Sequence, residues 1–317
     1  MKKIFLLPFL LCLLLSGCLG GKSDGLNNQI TSSQKGVYDI DDQTAVILDS
    51  VVDVFKEPNI RSERVTQVLY NEPVKIVEDI RDWSKVQLVE GSLGYIQTKY
   101  LSADCSSLLP EKINLRVIVS SKTKEVLSSA KNGITIKNIV LGTELFCISQ
   151  QGSWYEVKLP ENKKGWINNH GTFQVKATES VPFTSDIDFV LTLKKFIGSN
   201  YLTGGISSFG MDSSGLLYIS GKINGISIAR NLKDFYLSKE GETFSFENIT
   251  VEDLKTGDIL FFSDSTKSEI THAGILIGKG QFIEVSIDSG IVVISSLEGE
   301  LLKQHIVGIK RIFTPVL

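Results

Sequence analysis

The chain repeats itself, and that restricts its folding more than any other feature. Trp83-Ser84-Lys85-Val86 followed by Gly94-Tyr95-Ile96 recurs seventy-one residues later as Trp154-Tyr155-Glu156-Val157 followed by Gly165-Trp166-Ile167. Both copies carry a strand-like run nine residues before the tryptophan, at Val74 and Leu145. Two copies specify a duplicated domain, whereas a solenoid needs at least ~3 repeats. Inside the first copy, residues 51–55, 73–77 and 84–88 alternate apolar and polar side chains between turn residues, which predicts half-buried strands.

Each copy, roughly sixty residues long, resembles a bacterial SH3-like domain, with the copies at 45–104 and 112–173. The resemblance implies small all-β barrels. In such barrels Trp83 and Trp154 are expected to pack in the core; the other reading is an aromatic surface for a wall glycan or peptide. Glu57 and the turn Glu90-Gly91-Ser92 of the first barrel are candidate contributors to the wall of a substrate cleft.

The two copies leave a third domain. With 317 residues there is room for two or three domains at a typical ~100–200 each, and 42% hydrophobic with 22% charged residues is a globular composition. The 33 basic and 36 acidic residues give a formal charge of −3. A chain so balanced has no general attraction to phosphate backbones or anionic surfaces, which argues against nucleic acid as a partner.

At the start, Lys2 and Lys3 precede an apolar run from Ile4 to Leu15, within the ~7–15 residues of a secretory h-region and short of the ~20 that span a bilayer. Leu15-Ser16-Gly17-Cys18 resembles a lipobox, which implies a signal peptide over 1–17 and lipidation of Cys18. Loss of residues 1–17 would leave 31 basic against 36 acidic groups, a charge of −5, so the anchor would be hydrocarbon and not charge. Residues 18–44 are mostly small and polar and read as the lipidated cysteine and a tether. The expected location is the bacterial cell envelope, held to a membrane at Cys18.

Cys105 and Cys147 are the remaining cysteines of an exported chain; a disulfide is permitted there, but two cysteines do not specify one. His170, His272 and His305 show no metal-ligand spacing, and no cofactor is expected.

Beyond residue 182 the pattern changes. Apolar residues at 187, 190, 191, 193, 196 and 197 predict a helix, with Ser185 and Asp186 as capping candidates. A second helix is expected near 213–221, then strands at 259–262, 273–278, 282–286, 291–297 and 306–313, an α+β arrangement with an antiparallel sheet. A nucleophile at the first turn of the second helix would sit at the positive end of its dipole. If Gly278-Lys279-Gly280 closes a hairpin, His272 lies opposite Ser286 and diagonal to Glu284, on one face and within side-chain reach. Glu284 would then hold the imidazole and stabilise its charged form.

Tyr201-Leu202-Thr203-Gly204-Gly205, Asp212-Ser213-Ser214-Gly215-Leu216, Lys255-Thr256-Gly257-Asp258-Ile259 and Thr271-His272-Ala273-Gly274 resemble, in order and spacing, the NlpC family of papain-like cell-wall peptidases over 182–314. With the two upstream barrels and the lipobox, the layout resembles that family's γ-D-glutamyl-diamino-acid endopeptidases, which cut peptidoglycan stem peptides. The resemblance implies a catalytic set of Ser213, His272 and Glu284, with Tyr201 beside it as a donor to the oxyanion or a packed aromatic. It also implies Asp212 and Ser214 as ligands of the peptide's free amine. Arg230 would pair with Asp212 or a substrate carboxylate, or stand in solvent at a helix end.

The chain departs from the family pattern at four positions. Ser213 stands where the family has its nucleophilic cysteine, Glu284 where a histidine is usual, Thr203 where an aromatic is usual and Ala229 where proline is usual. A helix dipole of at most ~2 kcal/mol does little for a hydroxyl, and a site shaped for sulfur misplaces a shorter bond. The expectation from sequence is therefore stem-peptide recognition by a catalytically degenerate domain, with hydrolysis by a Ser213-His272-Glu284 triad as the alternative and a purely protein-binding lipoprotein as a further one.

Overall fold

A computed structural model of the chain describes residues 36–246, 250–263, 269–298 and 305–313. Cys18 and the lipobox lie outside the described residues. Among the described residues no helix is long and apolar enough to cross a membrane.

The first copy contains β1 (Thr44–Ile47), β2 (Val51–Phe55), β3 (Arg64–Leu69), β4 (Pro73–Ile80), β5 (Trp83–Leu88), β6 (Leu93–Gln97) and β7 (Leu101–Ser102). The second contains β8 (Leu115–Val119), β9 (Thr123–Leu127), β10 (Thr135–Val140), β11 (Glu144–Gln151), β12 (Trp154–Leu159), β13 (Lys163–Asn168) and β14 (Thr172–Lys176). The sheet orders, β3-β2-β6-β5-β4-β1-β7 and β10-β9-β13-β12-β11-β8-β14, are the same order twice. The repeated glycines have a shared cause. A Cβ on Gly94 would lie 2.5 Å from a Val54 methyl, and one on Gly165 would lie 2.4 Å from a Val126 methyl, so each barrel closes only where a side chain is missing.

The tryptophans do not fill the cores. Along β5 the buried phase is Ser84, Val86 and Leu88, leaving Trp83 half-buried on the outer face with its ring edge-on to Phe55. Along β12 the buried phase is Tyr155, Val157 and Leu159, and Trp154 is half-buried on the outer face. Strand parity overrides the preference of a large aromatic for burial. The cores are instead aliphatic: Val52, Val54, Val68, Val86 and Ile96 in one, Val117, Val126, Leu145, Val157 and Ile167 in the other. Cys105 and Cys147 are buried free thiols, and burial pushes the first up to about 11 and the second to about 12.

The third domain begins with α1 (Asp186–Lys194), whose N-terminus is a capping box in which Ser185 and Asp188 satisfy each other's backbone amides. A tight hairpin, β15 (Ile206–Ser207) and β16 (Gly210–Met211), leads into α2 (Ser213–Ile223), followed by α3 (Leu232–Leu237) and β17 (Glu242–Phe244). The sheet continues with β18 (Ile259–Ser263), β19 (Ile270–Gly278), β20 (Gln281–Ser286), β21 (Ile291–Ser296) and β22 (Ile306–Arg311), in the order β17-β22-β18-β19-β20-β21, all antiparallel. Asp258 turns the chain into β18 by accepting from the Lys255 amide at 2.8 Å, and it also holds Arg311.

The core of this domain joins α1 (Phe189, Leu193), α2 (Leu216, Leu217, Ile219) and the sheet (Phe261, Ile275, Ile283), and it takes in Leu69 of the first barrel and Ile118, Val140 and Leu141 of the second. Side chains from the two barrels thus share one apolar interior with the helix that begins at Ser213.

Candidate active site

The site is built where α2 starts. Asp212 is the N-cap: its Oδ1 accepts from the Gly215 amide at 2.7 Å. Its Oδ2 accepts from the Gly204 amide at 2.8 Å, tying the glycine turn to the helix. Gly215 is required because a Cβ there would meet the Gly205 carbonyl oxygen at 1.9 Å. These constraints fix Ser213, the first residue of the helix and only 7% exposed.

The hairpin between β19 and β20 brings in the other two residues. Gly274 pairs with Glu284, Ile275 with Ile283 and Leu276 with Phe282, the register expected from the sequence. The turn itself is tighter than expected: Gly278 pairs with Gln281 across an irregularity after Leu276, and Gly278, Lys279 and Gly280 all take positive φ. Ser213 Oγ lies 2.6 Å from His272 Nδ1, and His272 Nε2 lies 2.6 Å from Glu284 Oε2. Glu284 next to Nε2 sets the tautomer: Nε2 donates to the carboxylate and Nδ1 is left to accept from the serine hydroxyl.

Sequence reasoning missed a fourth member. Ser295 on β21 donates a short hydrogen bond to Glu284 Oε1. Glu284 pairs with Val293 and Phe282 with Ser295, so His272, Glu284 and Ser295 form a slanted row across three adjacent strands. Burial pushes the Glu284 carboxyl up, but the hydrogen bonds from His272 and Ser295 more than offset this and hold it below the usual range. The ring of Phe262 flanks the imidazole at 5.6 Å between centroids.

Beside the triad, a groove of about 910 Å³ runs between the first barrel and the third domain. Asp212, Ser214 and Arg230 line it from one side, and Arg64 and the turn Glu90-Gly91-Ser92 line it from the other. Burial pushes the Glu90 carboxyl above its ordinary value. Glu57 is not among the lining residues.

Asp212, Ser214 and Arg230 are engaged with one another. Arg230 Nη1 and Nη2 reach Asp212 Oδ1 and Oδ2 at 3.1 and 3.2 Å, Nη1 also donates to Ser214 Oγ, and Ser214 Oγ donates to Asp212 Oδ1 at 2.8 Å. With the two amides, the Asp212 carboxylate takes five donors. Arg230 is therefore neither solvated nor free for a substrate carboxylate; its side chain is 9% exposed. Tyr201 bridges to Met211, and its hydroxyl meets Thr203 Oγ1 at 3.2 Å.

The first barrel reaches into this network. Arg230 Nε donates to Thr66 Oγ1 at 2.9 Å, Arg64 donates to the Thr203 carbonyl at 3.0 Å while clamped by Asp53, and Gln67 Oε1 accepts from the Ile206 amide at 3.1 Å. No sequence signal pointed to these contacts.

A family model described as the NlpC/P60 family matches residues 198–311, and a bacterial SH3 domain model matches 50–102. The chain carries an NlpC/P60 domain behind a bacterial SH3 domain. The second barrel repeats the strand order of the first. A crystal structure of an NlpC/P60 family protein from Bacillus cereus aligns with a TM-score of 0.73 at 22% identity, over 84% of this chain and 99% of that one, which shows the shared fold. Among curated relatives, dipeptidyl-peptidase 6 of Lysinibacillus sphaericus is 24% identical over 263 residues, covering 80% of this chain and 92% of that protein. A γ-D-glutamyl-L-lysine dipeptidyl-peptidase of Bacillus cereus is 28% identical over 232 residues, covering 69% of this chain and 66% of that protein. Among the described residues no cluster of His, Cys, Asp and Glu side chains suits a metal ion.

Proposed function

We propose that the NlpC/P60 domain hydrolyses peptidoglycan stem peptides at the bond following γ-D-glutamate, with Ser213 as nucleophile. The observation that carries this is the continuous hydrogen-bonded set from Ser213 through His272 to Glu284. Of the two objections to a serine in a sulfur-shaped site, misplacement is the one that an Oγ within hydrogen-bond reach of Nδ1 speaks against. A carboxylate in the third position suits a hydroxyl, which needs more help from its base than a thiol does.

In this reading Ser213 Oγ attacks the peptide carbonyl as its proton passes to His272 Nδ1, and Glu284 stabilises the imidazolium. His272 returns the proton to the leaving amine, releasing it and leaving an acyl-enzyme. Water, deprotonated by the same imidazole, then cleaves the ester and restores Ser213. The N-terminus of α2 favours the oxyanion that develops beside it. The groove against the first barrel admits a short peptide with a free amine, and Glu90 on its far wall is one acid placed to meet that amine, Asp212 being already engaged with Arg230. On the sequence of residues 1–18 we propose that the protein is exported and lipid-anchored at Cys18 in the cell envelope.

The test incubates the chain with L-Ala-γ-D-Glu-diamino-acid peptides and follows binding and cleavage together. Turnover that disappears in Ser213→Ala is the expected result. Binding without turnover, with cleavage gained in Ser213→Cys, would return the protein to recognition by a degenerate enzyme, and no binding in either form would remove the peptide reading.

A further inference from the structure

α1 is apolar on both of its sides. Phe189 and Leu193 are buried in the core of the third domain, whereas Ile187 and Leu191, one turn apart on the other side, are each more than half exposed. A helix with apolar side chains all round belongs in an interior, yet this side of α1 is left open.

The apolar surface extends past both ends of the helix. Just before it, Phe183 is more than half exposed, its ring tilted against Phe313 at 5.5 Å. Beside Leu191 a groove of about 390 Å³ runs to the second barrel, lined by Phe173, Val181, Pro182 and Ile223 among others. After α1, Lys122 of the second barrel donates to the Ile197 carbonyl at 3.0 Å, and the Lys122 carbonyl accepts from Ser208, next to the more than half exposed Phe209. Charge is sorted along the helix. Asp186 and Asp188 lie in its first turn, where Asp188 is bonded to Ser185, and Lys194 and Lys195 lie at its last. No carboxylate pairs with either lysine among the described residues.

We propose that this face, formed by Phe183, Ile187 and Leu191 with the lysines at the end of α1, lies on the surface of an anionic lipid bilayer. Exposed aliphatic and phenyl side chains enter the boundary between headgroups and acyl chains, and the ammonium groups meet lipid phosphates. The chain as a whole has a formal charge of −3, so the attraction is local. A screening length of ~8 Å at physiological salt lets a cluster of lysines act without interference from distant acids.

The chain ahead of the described residues points to the same occupant. It holds the apolar run and Cys18, and the seventeen residues between Cys18 and Gly36 reach at most about 60 Å. An anchor at Cys18 would keep the domains within that distance of a membrane without choosing which face meets it; the α1 face makes the choice. The inference shares the membrane with the proposed anchor but not its chemistry, and it needs no turnover.

The experiment sediments residues 19–317, which keep every described residue and lack both the apolar run and Cys18, with vesicles of phosphatidylcholine alone or mixed with phosphatidylglycerol, at about 1 mM lipid. Binding to the phosphatidylglycerol vesicles that is lost at high salt is expected. Ile187→Ser with Leu191→Ser should weaken it roughly tenfold or more. Lys194→Gln with Lys195→Gln, which leaves the apolar residues in place, should do the same. Ile60→Ser, at an exposed position of the first barrel, should leave binding unchanged. No binding to either vesicle, equal binding to both, or binding that the α1 variants leave intact would each overturn the proposal. So would a dimer in sedimentation velocity that Ile187→Ser with Leu191→Ser takes apart, which would give the face to a second copy of the chain. Because the tested chain lacks Cys18, failure here leaves the reading of the anchor untouched.

Discussion

At the residue scale, the site turns on which hydrogen bonds Glu284 receives. In the proposed reaction Ser295 is a positioning residue: it fixes the carboxylate that orients His272. Ser295→Ala should remove a bond to a charged group, worth about 1.5–3 kcal/mol, and lower kcat by roughly tenfold with KM little changed. It should also raise the Glu284 pKa and so move the acid limb of the pH–rate profile to higher pH, with Ser295→Thr restoring both; an unmoved limb would mean that Ser295 is only structural. The wild-type sign follows from the same bonds. A carboxyl held below its usual range in the folded state stabilises the fold above that range and loses the contribution as pH falls through the lowered value. Acid unfolding of Glu284→Gln should accordingly be less steep than that of the parent, as measured by circular dichroism against pH.

At the element scale, α2 depends on the glycine turn before it. Gly215→Ala puts a methyl where the Gly205 carbonyl oxygen stands, and a rigid backbone neighbour cannot yield as a side-chain tip would. A loss of about 2–3 kcal/mol in denaturant unfolding is expected, with Ser213 displaced and activity falling further than stability alone accounts for. This scale was also the most legible in the sequence. The spacing of Trp83 and Trp154, the Ser185 cap, and the even separations that put His272 diagonal to Glu284 were all visible, because they depend on local period and register. The burial of the tryptophans was misjudged although parity in Trp83-Ser84-Lys85-Val86 already placed Val86 inward and Trp83 outward. Ser295 was within reach of the same register argument carried one strand further. Arg64, Thr66 and Gln67 were not, since nothing local to β3 says that it faces another domain.

At the scale of the whole molecule, the junction of the three domains is held by charge as well as by hydrocarbon. Lys222 on α2 meets Glu72 of the first barrel at 2.7 Å, and Glu72 also accepts from the Leu69 amide. Nearby, Arg116 pairs with Glu144 in the second barrel, whose backbone carbonyl accepts from Asn71. Burial works against the Lys222 ammonium, but Glu72 and its neighbours hold its pKa well above the ordinary value. Lys222→Met would leave Glu72 without its cation and should cost about 3 kcal/mol, read as a lower midpoint in chemical denaturation. If the domains melt as one, the transition should stay single and simply shift; a split into two transitions would show that they are independent.

The contacts of Arg230 with Thr66, and of Arg64 with Thr203, have a consequence for ancestry. A module that bonds its side chains to its neighbour's glycine turn and to Arg230 can no longer be traded between genes like a detachable cassette. Exchange of the first barrel for a homologue's would have to carry the third domain along with it.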